Sequence, residues 1–260
     1  MTVTQVHVTS TPVFDQALIK AVGLTTTTFT SALGEGLLIT CPKHAKHVHI
    51  VEDFVGGLAT TGGIGKYGWR LTATNTTPTI TVKAGEVEHP GIATFTPSTQ
   101  TSAWMSLMLS LGSSNGAMTI TVDNLKEWMW IFRCNAAPNK DIRIGMFNIL
   151  SQDPTAGIYL EKLQTDADWQ AVTRKSSTSV QRINTSVAYA DNAWVNVYAR
   201  KTEAGAWIFN MNNGTDLSNM TTELPTASTL LVAGLQITKQ DGSQPTTDVD
   251  LFAAVGLVNR

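Results

Sequence analysis

Four residues near the N-terminus have side chains that bind metals: Cys41, His44, His47 and His49. Thiolate and imidazole are good zinc ligands, and this spacing resembles that of zinc-knuckle sequences. Pro42 fixes the backbone after the cysteine, however, and no second ligand pair follows at zinc-finger distance. On a strand, His47 and His49 would share one face while His44 lies on the other. The pattern favours a polar strand face or an interface; the alternative is a metal held by His47, His49 and their symmetry mates in an oligomer.

The string Gly63-Ile64-Gly65-Lys66-Tyr67-Gly68 matches the G-x-G-x-x-G fingerprint of dinucleotide-binding proteins. That fingerprint works only between a strand and a helix, because the N-terminus of the helix holds the pyrophosphate. Here the chain continues into Trp69-Arg70-Leu71-Thr72, which has the composition of a strand. The string therefore predicts a loop that enters a strand, and we expect no cofactor.

The acidic residues and Cys134 form no catalytic constellation. Glu86 and Glu88 would share one face of a strand, whereas a glycosidase needs two carboxyl groups about 5–10 Å apart across a cleft. Asp248 and Asp250 could hold a calcium ion, but no complete loop of oxygen ligands accompanies them. Cys134 follows a predicted strand and has no histidine near it in sequence, which is typical of a buried core thiol. We therefore predict no catalytic residues and no enzymatic activity.

Seven tryptophans remain as candidates for contact with a ligand. Trp128, Trp130 and Phe132 stand at alternate positions, which predicts the core-facing side of one strand. Trp169 lies in the polar stretch Asp166-Ala167-Asp168-Trp169-Gln170, so we predict that its indole is partly exposed. Because an exposed indole can stack on a sugar ring, Trp169 is the predicted glycan contact.

The composition excludes several partners. Only 15% of the residues are charged, compared with about 25% in typical soluble domains, and 38 threonines supply polar surface instead. A net charge of −2 provides no basic field for nucleic acid, and no uninterrupted apolar run is long enough for a membrane span. The two cysteines, Cys41 and Cys134, do not suggest a disulfide framework. The first residues have neither the basic nor the apolar region of a leader, which predicts synthesis without an export signal.

From Val51 onward, short apolar runs alternate with turn residues, as is typical of a sandwich or barrel. The predicted strands are Thr79–Val82, Ile92–Phe95, Met118–Val122, Trp128–Cys134, Ile142–Phe147, Ile158–Leu163, Ala193–Lys201, Ala206–Met211, Leu230–Thr238 and Val249–Val258. A hairpin is predicted between the strands Trp194–Lys201 and Ala206–Met211, since Gly205 in the connection can take a positive φ. Residues 1–50 are predicted to be an N-terminal arm with the first strands, including a short helix over Phe14–Val22.

Several short motifs, in order, resemble those of a group of tailed-bacteriophage structural proteins. The first are Val51-Glu52-Asp53-Phe54-Val55-Gly56-Gly57, Thr61-Gly62-Gly63-Ile64-Gly65, Tyr67-Gly68-Trp69 and His89-Pro90-Gly91-Ile92. The later ones are Trp128–Arg133, Arg143–Gly145, Gly157-Ile158-Tyr159-Leu160-Glu161, Trp169-Gln170-Ala171, Trp194, Asn213-Gly214, Glu223-Leu224-Pro225-Thr226 and Asp248-Val249-Asp250-Leu251-Phe252. The resemblance spans residues 51–260. It implies an all-β, two-sheet antiparallel jelly-roll (concanavalin A-like) sandwich in a virion protein without known enzymatic residues.

The resemblance favours a capsid decoration protein, a homotrimer on the outer surface of the virion that is assembled in the host cytoplasm. Such a protein would stabilise capsomer junctions through contacts with the major capsid protein. The alternative is a carbohydrate-binding tail or head-fibre module that contacts a host surface glycan, and a glycan hydrolase that uses Glu86 and Glu88 is the third hypothesis. The candidate contacts with a partner or a glycan are Phe14, His44, His47, His49 and Trp169.

Overall fold

The structure is a computed structural model. It describes residues 37–39, 47–52, 69–73, 79–83, 85–86, 89, 91–97, 104–108, 119–135, 140–148, 153–212, 214, 217, 219–239 and 245–257. Sixteen β-strands and no helix occur among these residues. In the same part of the chain there is accordingly no helix with the length and apolarity of a membrane span.

The strands follow one another with short connections through most of the second half of the chain. Their bounds are β1 Leu37–Ile39, β2 His47–Glu52, β3 Arg70–Ala73, β4 Thr79–Lys83, β5 Ile92–Thr96, β6 Trp104–Met108, β7 Thr119–Thr121 and β8 Leu125–Cys134. The remaining bounds are β9 Lys140–Phe147, β10 Gly157–Lys162, β11 Asp168–Arg174, β12 Val180–Ala188, β13 Trp194–Lys201, β14 Trp207–Met211, β15 Leu230–Lys239 and β16 Thr247–Leu257.

The strands form two sheets in which every described pairing is antiparallel. The first sheet has the order β1-β2-β16-β8-β13-β14, and the β4–β5 hairpin joins it through the pairing of β5 with β16. The second sheet has the order β12-β11-β10-β9-β15-β6-β3, with β7 also paired to β15. The prediction of an all-β, two-sheet antiparallel jelly-roll sandwich is confirmed.

Aromatic side chains from both sheets fill the space between them. Trp128, Trp130 and Phe132 of β8 are at most 1% exposed, so the predicted core face of this strand is confirmed. Phe132 meets Trp169 of the second sheet edge-on, with ring centroids 5.4 Å apart. Cys134 is buried at the end of β8, as predicted. Edge-to-face aromatic contacts of this kind add to the stability that burial provides.

The predicted hairpin is present between β13 and β14. The two strands pair from Val197 opposite Met211 to Lys201 opposite Trp207. Gly205 has a φ of 85° in the connection, and its N–H donates to the carbonyl of Thr202 at 2.9 Å. A positive φ favours glycine, which explains this residue at the turn.

Several predictions for the N-terminal part lie outside the described residues. They include the helix over Phe14–Val22 and the glycine string Gly63–Gly68. Strand β2 spans both sides of the predicted boundary between the arm and the body. It pairs with β16 near the centre of the first sheet.

Candidate functional site

Strand β13 carries a row of polar and aromatic side chains on the outer face of the first sheet. Because side chains alternate between the two faces of a strand, every second residue of β13 points to the core. These core residues are Val195, Val197 and Ala199. The residues that face outward are half-buried, and we call them the β13 row: Trp194, Asn196, Tyr198 and Arg200. Trp194 and Tyr198 are about 13–14 Å apart along the strand, so two aromatic rings stand well separated on one extended surface.

At one end of the β13 row, the indole of Trp194 contacts two planar side chains. The imidazole of His89 is nearly parallel to it, with ring centroids 3.9 Å apart and an interplanar angle of 17°. The guanidinium carbon of Arg133 is 4.6 Å from the indole centroid, within the range of a cation–π contact. Groups from two separate parts of the chain, the connection between β4 and β5 and strand β8, therefore fix the orientation of this ring.

Arg133 joins two carboxylates at this end of the row. Its Nη1 and Nη2 atoms donate to the two oxygens of Glu86 at 2.8 and 2.5 Å, and its Nε donates to Asp248 at 2.8 Å. The hydrogen bond from Arg133 lowers the pKa of Glu86. Lys83 and Thr94 also donate to Asp248, at 2.9 and 2.6 Å. Burial acts to raise the pKa of Asp248, but these hydrogen bonds outweigh it and lower the pKa overall.

His89 is held over the indole by a hydrogen bond of its side chain and by its own backbone. Its Nδ1 lies 2.9 Å from Oδ2 of Asp250. The backbones of Glu86 and His89 exchange two N–H···O=C hydrogen bonds, at 2.8 and 3.0 Å. Both residues therefore lie in the connection between β4 and β5, which is pinned to the outer face of the first sheet. We call the resulting set the Trp194 cluster: Glu86, His89, Arg133, Trp194, Asp248 and Asp250.

The opposite end of the β13 row has a different character. The Tyr198 hydroxyl donates to the carboxylate of Glu127 on the neighbouring strand β8. Burial raises the pKa of Glu127. On the same outer face, Met129 and Ala253 are buried among half-exposed apolar neighbours. These neighbours are Val51, Ile131, Tyr198 and Leu251. The surface thus has an aromatic ring with polar partners at each end, and apolar side chains together with Asn196 between them.

Of the contacts predicted from the sequence, only Trp169 has a described side chain. Phe14, Cys41 and His44 lie outside the described residues, and for His47 and His49 the structure describes only the backbone of β2. His49 pairs with Val255 of β16 and with Ile39 of β1. The roles proposed for these residues stay predictions.

The prediction that Trp169 is exposed is wrong. Its side chain is 1% exposed and packs against Phe132 and Tyr189. The polar neighbours of Trp169 suggested a loop, but they belong to strand β11, whose alternation directs Asp168 and Gln170 outward and the indole inward. Trp169 therefore cannot stack on a glycan.

The acidic residues do not form a metal site in the described part of the chain. The two oxygens of Asp248 accept four hydrogen bonds, three of them from the cationic side chains of Lys83 and Arg133. These positive charges would repel a calcium ion, so the structure does not support the calcium interpretation of Asp248 and Asp250. No group of three metal-binding side chains occurs among the residues described.

The outer face of the second sheet carries a buried ion cluster. Arg143 donates to Glu161 at 2.7 Å, and Arg182 donates to the other oxygen of the same carboxylate at 2.8 Å. Gln236 also accepts a hydrogen bond from Arg143, at 3.2 Å. Glu161 is completely buried, and each of its two carboxylate oxygens accepts from an arginine.

The family described as "SO2946-like, C-terminal domain" matches residues 88–251 of this sequence. The chain belongs to this family. A crystal structure of the protein of unknown function SO2946 from Shewanella oneidensis MR-1 is similar over 98% of this chain and 99% of its own, with 13% identity and a TM-score of 0.58. No curated protein sequence matches the chain.

Two further solved structures share the sandwich architecture of the SO2946-like domain. The carbohydrate recognition domain of Emp47p aligns over 80% of this chain and 95% of its own, at 9% identity and a TM-score of 0.51. A glycosidic hydrolase aligns over 79% of this chain and 94% of its own, at 11% identity and a TM-score of 0.51. At such low identity these similarities show a shared concanavalin-like fold and no shared activity.

The SO2946-like segment contains five of the six members of the Trp194 cluster, all except Glu86. The sequence did not predict this cluster, although four motifs of the phage resemblance contain all of its members except Glu86. They are His89-Pro90-Gly91-Ile92, Trp128–Arg133, Trp194 and Asp248-Val249-Asp250-Leu251-Phe252. The motifs themselves could be seen in the sequence, but they lie far apart along the chain. The pairing of β8 with β13 and with β16 brings their side chains together.

Proposed function

We propose that this protein is a non-enzymatic glycan-binding sandwich of a tailed-phage particle, which contacts the host surface through the outer face of the first sheet. The observation that carries the proposal is the β13 row, in which Trp194 and Tyr198 stand on one strand with Asn196 between them and Arg200 beyond. A protein whose sheets packed only against each other would have no need of two half-buried aromatic rings on an outer face.

The chemistry of the β13 row fits a sugar. A pyranose has an apolar face of C–H groups that packs on an aromatic ring, and a rim of hydroxyl groups that both donate and accept hydrogen bonds. Asn196 and Arg200 offer planar polar groups for this rim, while Trp194 and Tyr198 offer the rings. The fold shared with the carbohydrate recognition domain of Emp47p supports the proposal.

The electrostatics of the Trp194 cluster favour binding without catalysis. A glycosidase needs one carboxyl group that stays protonated near neutral pH, which requires a raised pKa. Here Arg133 lowers the pKa of Glu86, and the net effect of the surrounding groups also lowers that of Asp248. Both groups therefore stay ionised, and Glu86, whose side chain is 43% exposed, can accept a hydrogen bond from a sugar hydroxyl.

A glycan array of cell-wall and lipopolysaccharide glycans tests the proposal directly. The intact protein is expected to bind a subset of glycans, and Trp194→Ala is expected to reduce this binding at least tenfold because it removes the stacking ring. Leu230→Ala is the control, since this apolar side chain is 54% exposed and belongs to the second sheet. The absence of binding by the intact protein, or equal binding by Trp194→Ala, would refute the proposal.

The resemblance to phage structural proteins also favours capsid decoration, with the major capsid protein and further copies of this chain as partners. Capsid decoration stays a prediction. The number of copies of this protein per particle discriminates between decoration of the head and a glycan-binding tail or fibre protein. Quantitative mass spectrometry of purified particles is expected to give a few to tens of copies for a glycan-binding tail or fibre protein. Hundreds of copies per particle would favour decoration of the head.

A further inference from the structure

The imidazole of His89 occupies the position on Trp194 where a sugar ring would stack. The two rings are nearly parallel and their centroids are 3.9 Å apart, which is a van der Waals stacking distance. A pyranose that packs its C–H face on an indole lies at a similar separation. One site on the indole therefore cannot hold both His89 and a sugar.

We propose that His89 is a built-in occupant of a subsite for a neutral pyranose, and that the bound sugar replaces the imidazole on Trp194. The inference rests on the proposed function and adds the residues that form the subsite. Trp194 provides the ring on which the sugar stacks. Asp250 accepts a hydrogen bond from a sugar hydroxyl, and Arg133 donates one.

The groups that hold His89 in place have the chemistry to hold a sugar instead. Asp250 accepts from the imidazole at 2.9 Å in a pair whose side chains are 8% and 17% exposed. When the imidazole leaves, the same carboxylate oxygen can accept a hydrogen bond from a sugar hydroxyl. The guanidinium of Arg133, next to the indole, provides N–H groups toward hydroxyl oxygens.

The charge around the subsite selects for a neutral sugar. Three carboxylates, those of Glu86, Asp248 and Asp250, lie within the cluster. The permanent cations that pair with them are Arg133 and Lys83. An additional carboxylate or sulfate on the ligand would lie close to these three carboxylates, and the like charges would repel one another.

The exchange requires little movement of the chain. The backbone of His89 is fixed by its two hydrogen bonds to Glu86, so a rotation of the side chain about its χ angles is enough to uncover the indole. The energetic cost is the loss of the stacked contact and of the hydrogen bond with Asp250. Removing the imidazole therefore increases affinity, because the sugar no longer competes with it.

Titration calorimetry on the full chain tests this exchange. The ligands are three neutral hexasaccharides (laminarihexaose, cellohexaose and mannohexaose) and the acidic hexagalacturonic acid. The variants are His89→Ala, which removes the ring, and His89→Asn, which removes the ring but keeps a donor for Asp250. Asp123→Asn is the control, because it alters a carboxylate that is 72% exposed and pairs with Lys201 outside the cluster.

We expect both His89 variants to bind at least one neutral hexasaccharide about two- to tenfold more tightly than the unmodified protein, the range for loss of one competing stacked pair. Trp194→Ala is expected to lose this binding, and hexagalacturonic acid is expected to bind more weakly than the neutral ligands.

Unchanged or weaker binding by both His89 variants, with loss of binding in Trp194→Ala, would overturn the exchange and leave the proposed function intact. Tighter binding of the acidic ligand would overturn the assignment of a neutral sugar. Equal binding by Trp194→Ala and the unmodified protein would instead refute the glycan site itself.

Discussion

Arg143 and Glu161 stand opposite each other in the pairing of β9 with β10, and the Nε of the arginine donates to the carboxylate at 2.7 Å. The other carboxylate oxygen of Glu161 accepts from Nε of Arg182 at 2.8 Å. Glu161 is completely buried although it lies on the outer face of its sheet. The carboxylate of Glu161 thus pairs with arginines from two strands of the second sheet, while Arg143 also pairs with Asp153 at 3.0 Å.

Replacing Glu161 by alanine is expected to lower the free energy of unfolding by about 3–5 kcal/mol, because it leaves the buried Arg143 without this partner. Guanidinium chloride unfolding at pH 7 measures the change. Glu203→Ala is the control, since Glu203 lies in the exposed turn between β13 and β14, and it is expected to change stability by less than about 0.5 kcal/mol. A loss below about 1 kcal/mol for Glu161→Ala would show that the pair contributes little.

Gly145 lies where β9 approaches β10 most closely. A Cβ at this position would be 2.7 Å from the Cα of Tyr159, and the φ of Gly145 is +147°. Gly145→Ala is therefore expected to lower the free energy of unfolding by about 2–3 kcal/mol, from backbone strain and steric overlap combined. Thermal and denaturant unfolding measure this effect.

Gly205→Ala provides a matched comparison for Gly145→Ala. Gly205 also has a positive φ, +85°, but no atom lies within 4 Å of the position of its added Cβ. This variant is expected to cost about 1 kcal/mol, from the backbone conformation alone. Equal losses in the two variants would contradict the role of the contact with Tyr159.

The fold was largely predictable from the sequence, whereas the Trp194 cluster was not. Strand β8 was predictable because Trp128, Trp130 and Phe132 follow the two-residue period of a strand, which is a local signal. Asp248, by contrast, meets Lys83 and Arg133 over sequence separations of 165 and 115 residues. Such a meeting is fixed by sheet order and register, which the local pattern does not contain.

Trp169 also shows what a local sequence pattern does not contain, because its predicted exposure was wrong. Its polar neighbours on the chain predicted exposure, but strand alternation placed them outward and the indole inward. A residue's neighbours in sequence describe its surroundings in a loop, whereas in a strand they describe the opposite face. Trp194 is one of the two half-buried aromatic residues of the candidate site. From the sequence it was named only as part of the resemblance to phage proteins.

We expect that replacing Glu127 by glutamine makes the protein more stable, relative to the unmodified protein, as the pH rises. Burial raises the pKa of Glu127 above its ordinary value of 4.5. Between these two pKa values the folded protein binds more protons than the unfolded chain, so stability falls as the pH rises through this window. Glutamine does not ionise and still accepts a hydrogen bond from Tyr198.

We therefore expect the stability of Glu127→Gln relative to the unmodified protein to increase from pH 4 to pH 7. Guanidinium chloride unfolding at several pH values measures this difference. Glu203→Gln serves as the control for the same change of residue at an exposed position. A constant difference for Glu127→Gln would contradict the effect of burial on this carboxyl group.

Asp248 predicts the opposite pH dependence. The hydrogen bonds from Thr94, Lys83 and Arg133 outweigh burial and lower its pKa below the ordinary value of 3.8. A lowered pKa contributes stability that is present above the ordinary value and is lost as the pH falls through the folded-state pKa. Asp248→Asn is expected to cost about 1.5–3 kcal/mol at pH 7, as for hydrogen bonds to a charged group.

The cost of Asp248→Asn is expected to shrink as the pH falls below about 4, because the unmodified carboxylate then loses its charge as well. Unfolding at pH 3, 5 and 7 measures the trend. Asp123→Asn is the control, because the Asp123 side chain is 72% exposed and its ion pair contributes little. A cost that grows at acid pH would contradict the assigned pKa direction.

The spacing of the β13 row predicts that Tyr198 matters only for ligands longer than one or two sugars. Trp194 and Tyr198 are separated by about 13–14 Å along the strand, so a disaccharide on Trp194 does not reach the second ring. Tyr198→Ala is expected to weaken binding of a neutral hexasaccharide by about two- to tenfold, the range for loss of one stacked ring. Binding of the matching disaccharide is expected to stay unchanged in titration calorimetry.

Tyr198→Phe is the matched control because it keeps the ring and removes only the hydroxyl that donates to Glu127. This variant is expected to bind both ligands as the unmodified protein does. An equal effect of Tyr198→Ala on both ligands would show that the ring supports the fold of the face and does not contact the glycan.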